Sequence, residues 1–250
     1  MQDMRFAMLF TLLVAGLLPG ALHFVAERHA DVLPPRLFEI SNFTSSFHEG
    51  QESRNHNIRL AAFILNGKEI AAGQTFSFNG TIGRRSGRAG FLRAPYLEFG
   101  ERIEVEGGGI CLVSSVLYNA ALLAGMEILE RYPHSSIVPY LPPGQDATVD
   151  YGHKDLRFRN IYAEKIQITT EISGSRLIIR LWGQSFPLRK IGLESINKTL
   201  PDGRLQVSTF RNVYLDGRLI QTNLLSEDTY PPEANRVARQ RRALDRGRRQ

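Results

Sequence analysis

The chain has 250 residues, is 42% hydrophobic, carries a net charge of +6 and contains one cysteine. A single cysteine excludes an intramolecular disulfide, so a hydrophobic core of ordinary composition has to hold the fold. The positive charge is concentrated in Pro231 to Gln250, where seven arginines face only Glu233 and Asp245. The body of the chain is close to neutral, and the basic pI is no sign of a nucleic-acid partner.

Phe6 to Ala26 has no charged residue and is long enough to cross a bilayer as a helix, although Pro19-Gly20 would kink it. It reads as a signal peptide or a membrane anchor, within residues 1–30. Arg5 against Asp3 gives a weak orientation signal, with the body placed outside the cytoplasm. Residues 31–52, rich in Pro, Ser, Thr and Gly, read as a linker.

Globular sequence starts near Ser53. Ile58, Ala61, Ala62 and Leu65 share one helical face, with Ser53 or Asn55 as the cap and Asn66-Gly67 as the end. Glu69 to Phe78 reads as extended. Arg84 to Gly90 is a basic, Gly-rich loop that could cradle a carboxylate or phosphate; the plainer reading is a solvated loop. Tyr96 to Val105 reads as a hairpin turning at Phe99-Gly100-Glu101.

A central helix follows, apolar almost all round in its second half and therefore expected to be buried. It is expected to start at Cys111, directly after Gly107, Gly108 and Gly109. Ser114, Ser115, Tyr118 and Asn119 lie on the polar side of its first half. Two readings stay open for them: a site at the helix start, or ordinary hydrogen bonding inside the fold. Strands are expected at Met126 to Tyr132, Ile137 to Leu141, Ala147 to Tyr151, Leu156 to Phe158, Lys165 to Glu171 and Arg176 to Trp182. Residues 184–230 form a strand-rich extension with turns at Asp202-Gly203 and Asp216-Gly217, and residues 231–250 a basic, disordered tail. The fold class is α+β, with the buried helix packed on a largely antiparallel sheet.

A thiol at a helix N-terminus is favoured as thiolate, whereas most lone cysteines are packing residues. A cysteine nucleophile needs a base and a group to orient that base. His134 follows Cys111 by a helix and a returning strand of matching length, which can bring the two back together. Asp146, Asp150 and Asp155 are candidate third members. His56 and His153 raise the rival idea of a metal site, but the spacings match no ligand pattern, and no cofactor fingerprint occurs.

At these residues the chain resembles the VanW family. The resemblance rests on Arg54-Asn55-His56-Asn57-Ile58-Arg59-Leu60-Ala61-Ala62, Gly73-Gln74-Thr75-Phe76-Ser77-Phe78-Asn79 and Gly107-Gly108-Gly109-Ile110-Cys111. It continues through Ser114 to Leu122, Glu130-Arg131-Tyr132-Pro133-His134-Ser135, Asp146-Ala147-Thr148-Val149, Asp155-Leu156 and Phe158-Arg159-Asn160, covering residues 53–183. It implies a bacterial cell-envelope protein associated with vancomycin resistance, with cell-wall peptide or peptidoglycan as partner, and supplies no reaction. Asp155, within the Asp-Leu match, is taken as the orienting acid beside Cys111 and His134. Asn55, His56 and Asp146 join the glycines and the helix residues as binding candidates. The family pattern has Gln where Leu112 stands; if that Gln serves an oxyanion site, the chemistry here is altered. The reading is a Cys-dependent acyl-transfer or amidase-type enzyme, or a non-catalytic envelope-binding module with Cys111 structural.

Overall fold

The computed structural model describes residues 36–98, 101–185 and 188–232. The apolar segment 6–26, the turn at 99–100 and the tail beyond 232 lie outside the described residues. Among the described residues no helix is long and apolar enough to cross a membrane.

The first element, β1 (Phe38–Ser46), falls inside the stretch expected to be a linker. It pairs antiparallel with β9 (Arg176–Gly183), and a bulge between Glu39 and Ser41 shifts its register. The bulge turns serines inward: Ser41 Oγ donates to the Ala120 carbonyl at 2.7 Å and Ser45 Oγ to the Tyr140 carbonyl at 2.8 Å. A strand whose buried positions include bonded serines carries no clean apolar alternation.

Helix α1 (Glu52–Leu65) buries the predicted Ile58, Ala61, Ala62 and Leu65. Its N-cap is Gln51, without a side-chain cap, and Asn66 closes its end. Glu69 to Phe78 is not one extended run. It holds β2 (Glu69–Ile70), β3 (Thr75–Ser77) and the start of α2 (Phe78–Ile82), where Ser77 Oγ accepts from the Gly80 amide at 2.8 Å. A 3₁₀ turn at Gly87–Ala89 lies in the basic loop. Strands β4 (Arg93–Glu98) and β5 (Glu101–Glu106) pair antiparallel.

The central helix α3 runs Ile110–Leu123, so Cys111 is its second residue rather than its first. All but the last of its residues are buried. It packs on β1, β9 and α1. Strands β6 (Glu127–Glu130) and β7 (Arg157–Arg159) join β3 in the order β3-β7-β6. With β8 (Ile166–Ser173), the principal sheet is β1-β9-β8-β2, antiparallel throughout. Ile166, Ile168, Leu177, Ile179 and Leu181 are fully buried, as their alternation predicts. Each such side chain contributes about 1.5–3 kcal/mol.

Ile137 to Leu141 and Ala147 to Tyr151 form no ladders. The first contains Pro139, which has no amide to donate. Of the second, only the Tyr132–Thr148 and Asp150–Lys154 bridges pair. The C-terminal part is a meander of β10 (Arg189–Thr199), β11 (Leu205–Leu215) and β12 (Arg218–Tyr230), with hairpin turns at the two Asp-Gly pairs.

Candidate active site

The glycine turn before α3 has a packing requirement at each position. Gly107 and Gly109 hold φ of +75° and +101°, a region L side chains rarely adopt. A Cβ at Gly107 would lie 2.6 Å from Cβ of Arg85, and one at Gly109 would lie 2.6 Å from Cγ of Arg54. A Cβ at Gly108 would strike the Ala94 carbonyl. The turn is therefore not an open cradle: two arginine stems fill it, bringing both side chains beside the first turn of α3.

Cys111 is buried, with 8% of its surface exposed. Its thiol approaches the Val149 carbonyl at 3.7 Å, and His134 is the titratable group that acts on it most strongly. On the other side of the imidazole, Nδ1 lies 2.6 Å from Asp146 Oδ2, which also accepts from the His134 amide at 2.6 Å. Nε2 is thereby the nitrogen left for the sulfur. The structure thus brings together a thiol, an imidazole and a carboxylate in the order that nucleophilic catalysis requires.

The carboxylate is Asp146, not Asp155. Asp155 accepts from Ser77 Oγ at 2.5 Å and from the Asn79 amide at 2.8 Å, so it ties the start of α2 to the entry of β7. Asp150 is exposed and lies 3.1 Å from His153.

Asp146 is held from several sides. Tyr230 Oη donates to its Oδ1 at 2.7 Å and itself accepts from the Gly144 amide at 3.1 Å. Arg131 reaches the same carboxylate at 3.3 Å, the Asp146 carbonyl at 2.6 Å, and both oxygens of Asp228 at 2.7 and 2.6 Å. Asp228 and Tyr230 belong to β12, so the C-terminal extension contributes to the site.

The polar residues of α3 dock the segment that carries Asp146. Ser114 Oγ donates to the Ala147 carbonyl at 2.6 Å, Ser115 Oγ accepts from the Ala147 amide at 2.8 Å, and Asn119 Nδ2 donates to the Gln145 carbonyl at 2.7 Å. Buried backbone that forms no ladder finds its partners here. Tyr118 lies under the Arg131 guanidinium, 5.4 Å from ring centre to Cζ, and burial pushes its hydroxyl up to about 12. Of the earlier candidates, His56 is exposed and bonded to the Gly90 carbonyl at 2.9 Å, while Asn55 donates to the His48 carbonyl at 2.9 Å. Both line a surface cavity of about 420 Å³ at the start of α1 that does not include Cys111. Leu112 is fully buried in the hydrophobic core.

Burial by itself raises the Cys111 thiol, but the adjoining His134, with the charge of the nearby Arg85, outweighs it and holds the thiol below its ordinary value. Burial would lower His134, yet Asp146 and Cys111 push it up to about 9. Asp146 is held below the usual carboxylate range: burial opposes this, and the bonds to His134 and the charge of Arg131 prevail. The three shifts agree on a thiolate–imidazolium pair oriented by an ionised carboxylate. Tyr140, edge-on to His134 at 6.5 Å between ring centres, is held well above its ordinary value by burial and then by the Cys111 and Asp146 charges.

Sequence reasoning paired Cys111 with His134 but did not place Arg131, Asp228, Tyr230, Tyr140 or Arg54 in the site. The signal nearest to hand was Arg131, inside the same Glu-Arg-Tyr-Pro-His run as His134. Among the described residues no group of three or more His, Cys, Asp and Glu is placed to hold a metal ion.

Residues 53–182 match the family described as VanW like protein. The chain is 41% identical over 156 residues to YoaR, an uncharacterized protein of Bacillus subtilis (strain 168), covering 61% of this chain and 52% of YoaR. It is 28% identical over 214 residues to the vancomycin B-type resistance protein VanW of Enterococcus faecalis (strain ATCC 700802 / V583), covering 76% of this chain and 77% of that protein. The chain thus spans about half the length of YoaR and about three quarters of VanW. No solved structure matches. With Cys111, His134 and Asp146 all inside the matched residues, the chain belongs to the VanW-like, vancomycin-resistance-associated family.

Proposed function

We propose that the protein is a cysteine-dependent acyl-transfer or amide-hydrolysing enzyme acting on cell-wall peptides at the cell envelope. The observation that carries this reading is His134, bonded to Asp146 through Nδ1 and pushed up to about 9 by Asp146 and Cys111 together against its burial. In the first step the Cys111 thiolate attacks a peptide carbonyl carbon. His134 gives its proton to the departing amine as the C–N bond breaks, leaving a thioester on Sγ. In the second step His134 takes a proton from water or an acceptor amine, which attacks the thioester carbonyl. The C–S bond breaks and the thiolate returns. Asp146 keeps the imidazole in orientation and stabilises its charged form. Residues 6–26 serve as anchor or signal in this reading.

The rival reading is a non-catalytic module that binds envelope material, with Cys111 structural. It is favoured by the approach of the thiol to the Val149 carbonyl and by the use of Ser114, Ser115 and Asn119 to dock backbone. Muropeptides incubated with the full chain decide between the two. Turnover or a covalent acyl adduct on Cys111, absent in Cys111→Ser, supports the enzyme. Equal muropeptide binding by parent and Cys111→Ser, with turnover by neither, supports the module.

A further inference from the structure

Arg85 is half-buried, and the proposed reaction leaves its guanidinium unused. Its Cβ and Cγ pack where Gly107 has no side chain, and its guanidinium carbon lies 5.6 Å from the Phe78 ring and 6.0 Å from the Tyr151 ring. Both terminal nitrogens, Nη1 and Nη2, are shut off from solvent and have no hydrogen-bond partner. No carboxylate among the described residues forms an ion pair with it, and the charges acting on it are those of Cys111 first and then Asp155 and Asp150. Arg54, packed on Gly109, also lacks a carboxylate ion pair among the described residues and also feels the Cys111 charge. Two guanidiniums thus flank the glycine turn that leads into Cys111.

A buried guanidinium with idle donors is costly, and a native fold that keeps one needs a reason for it. The planar fork of an arginine matches the two oxygens of a carboxylate, and the flanking rings hold that fork in place. Tyr151 is 42% exposed, so the fork lies behind a ring that itself faces solvent.

We infer that Arg85, assisted by Arg54, forms a carboxylate-binding subsite beside Cys111, so that the ligand taken at this site is a peptide bearing a free carboxylate close to the carbonyl that meets the sulfur. The subsite names the ligand class for the site of the proposed reaction, and it stands or falls by binding rather than by turnover.

The probes are N-acetyl-alanyl-alanine and its carboxamide, titrated calorimetrically into the full chain. The acid should bind the parent at least tenfold more tightly than the amide. Arg85→Gln keeps the Cβ and Cγ that pack on Gly107 and should erase the preference; Arg85→Lys, with charge but no fork, should keep a part of it. A parallel readout is the rate of Cys111 alkylation by iodoacetate relative to iodoacetamide, which should fall about tenfold or more in Arg85→Gln. Equal binding of acid and amide by the parent, or a preference unchanged in a folded Arg85→Gln, overturns the subsite. Acid preference without turnover of any peptide would retire the enzyme and keep the subsite; turnover without acid preference would do the reverse.

Discussion

Arg131 and Arg85 both carry buried guanidinium nitrogens, and the fold treats them differently. Arg131 spends its donors on both oxygens of Asp228, on the carboxylate and carbonyl of Asp146, and on the Gly144 carbonyl. Arg85 leaves Nη1 and Nη2 idle. A fully paired buried charge belongs to the scaffold, because removing it strands its partners. An unpaired one is a cost to the folded state and can be reserved for something that arrives later. The contrast divides the site into a finished side, which holds Asp146 and His134, and an unfinished side, which faces the glycine turn.

Arg131→Met breaks that contrast most severely. It leaves Asp228 and Asp146 buried without their cation and should cost about 3–5 kcal/mol in chemical denaturation. Asp146→Asn comes next. Losing the charge and the fixed ring orientation at His134 should slow Cys111 alkylation near neutral pH about 10²-fold or more. Asp155→Asn should leave the alkylation profile in place, because its bonds go to Ser77 and Asn79. Tyr230→Phe removes one donor from Asp146 and strands the Gly144 amide, and should cost about 1–3 kcal/mol. Arg85→Gln should change stability least, within about 1 kcal/mol and in either direction, since a buried charge without a bonded partner is lost. If Arg85→Gln proves as damaging as Arg131→Met, the two arginines are both scaffold and the contrast fails.

The same contrast explains what could be read from the chain. Cys111 and His134 are joined by a helix and a strand of calculable length, so their meeting followed from local geometry. The choice among Asp146, Asp150 and Asp155 did not, because it is decided by Ser115 and Asn119 docking backbone and by Arg131 and Tyr230 bonding the carboxylate. Arg131 and Asp228 stand 97 residues apart, and no local pattern connects them. Strand β1 was hidden by its bulge and its inward serines, whereas β8 and β9, with clean alternation, were evident. In the basic loop, charge and glycine suggested both an anion cradle and a solvated surface; only the packing of Arg85 against Gly107 separates it from its exposed neighbour Arg84.

The central claim is that His134 and Asp146 hold Cys111 as a thiolate. Its most direct test is the rate of Cys111 alkylation by iodoacetamide as a function of pH in the parent and in His134→Ala. The thiol is depressed and the imidazole raised to about 9, so the ion pair exists above the lowered thiol value and is lost as pH rises through about 9. The parent should therefore react below pH 8.5, the region where an unperturbed thiol ionises. In His134→Ala, burial acts with its main opposing partner removed, and the inflection should move up to that value or beyond it. A parent profile with a free-thiol inflection, unchanged in His134→Ala, would contradict the account.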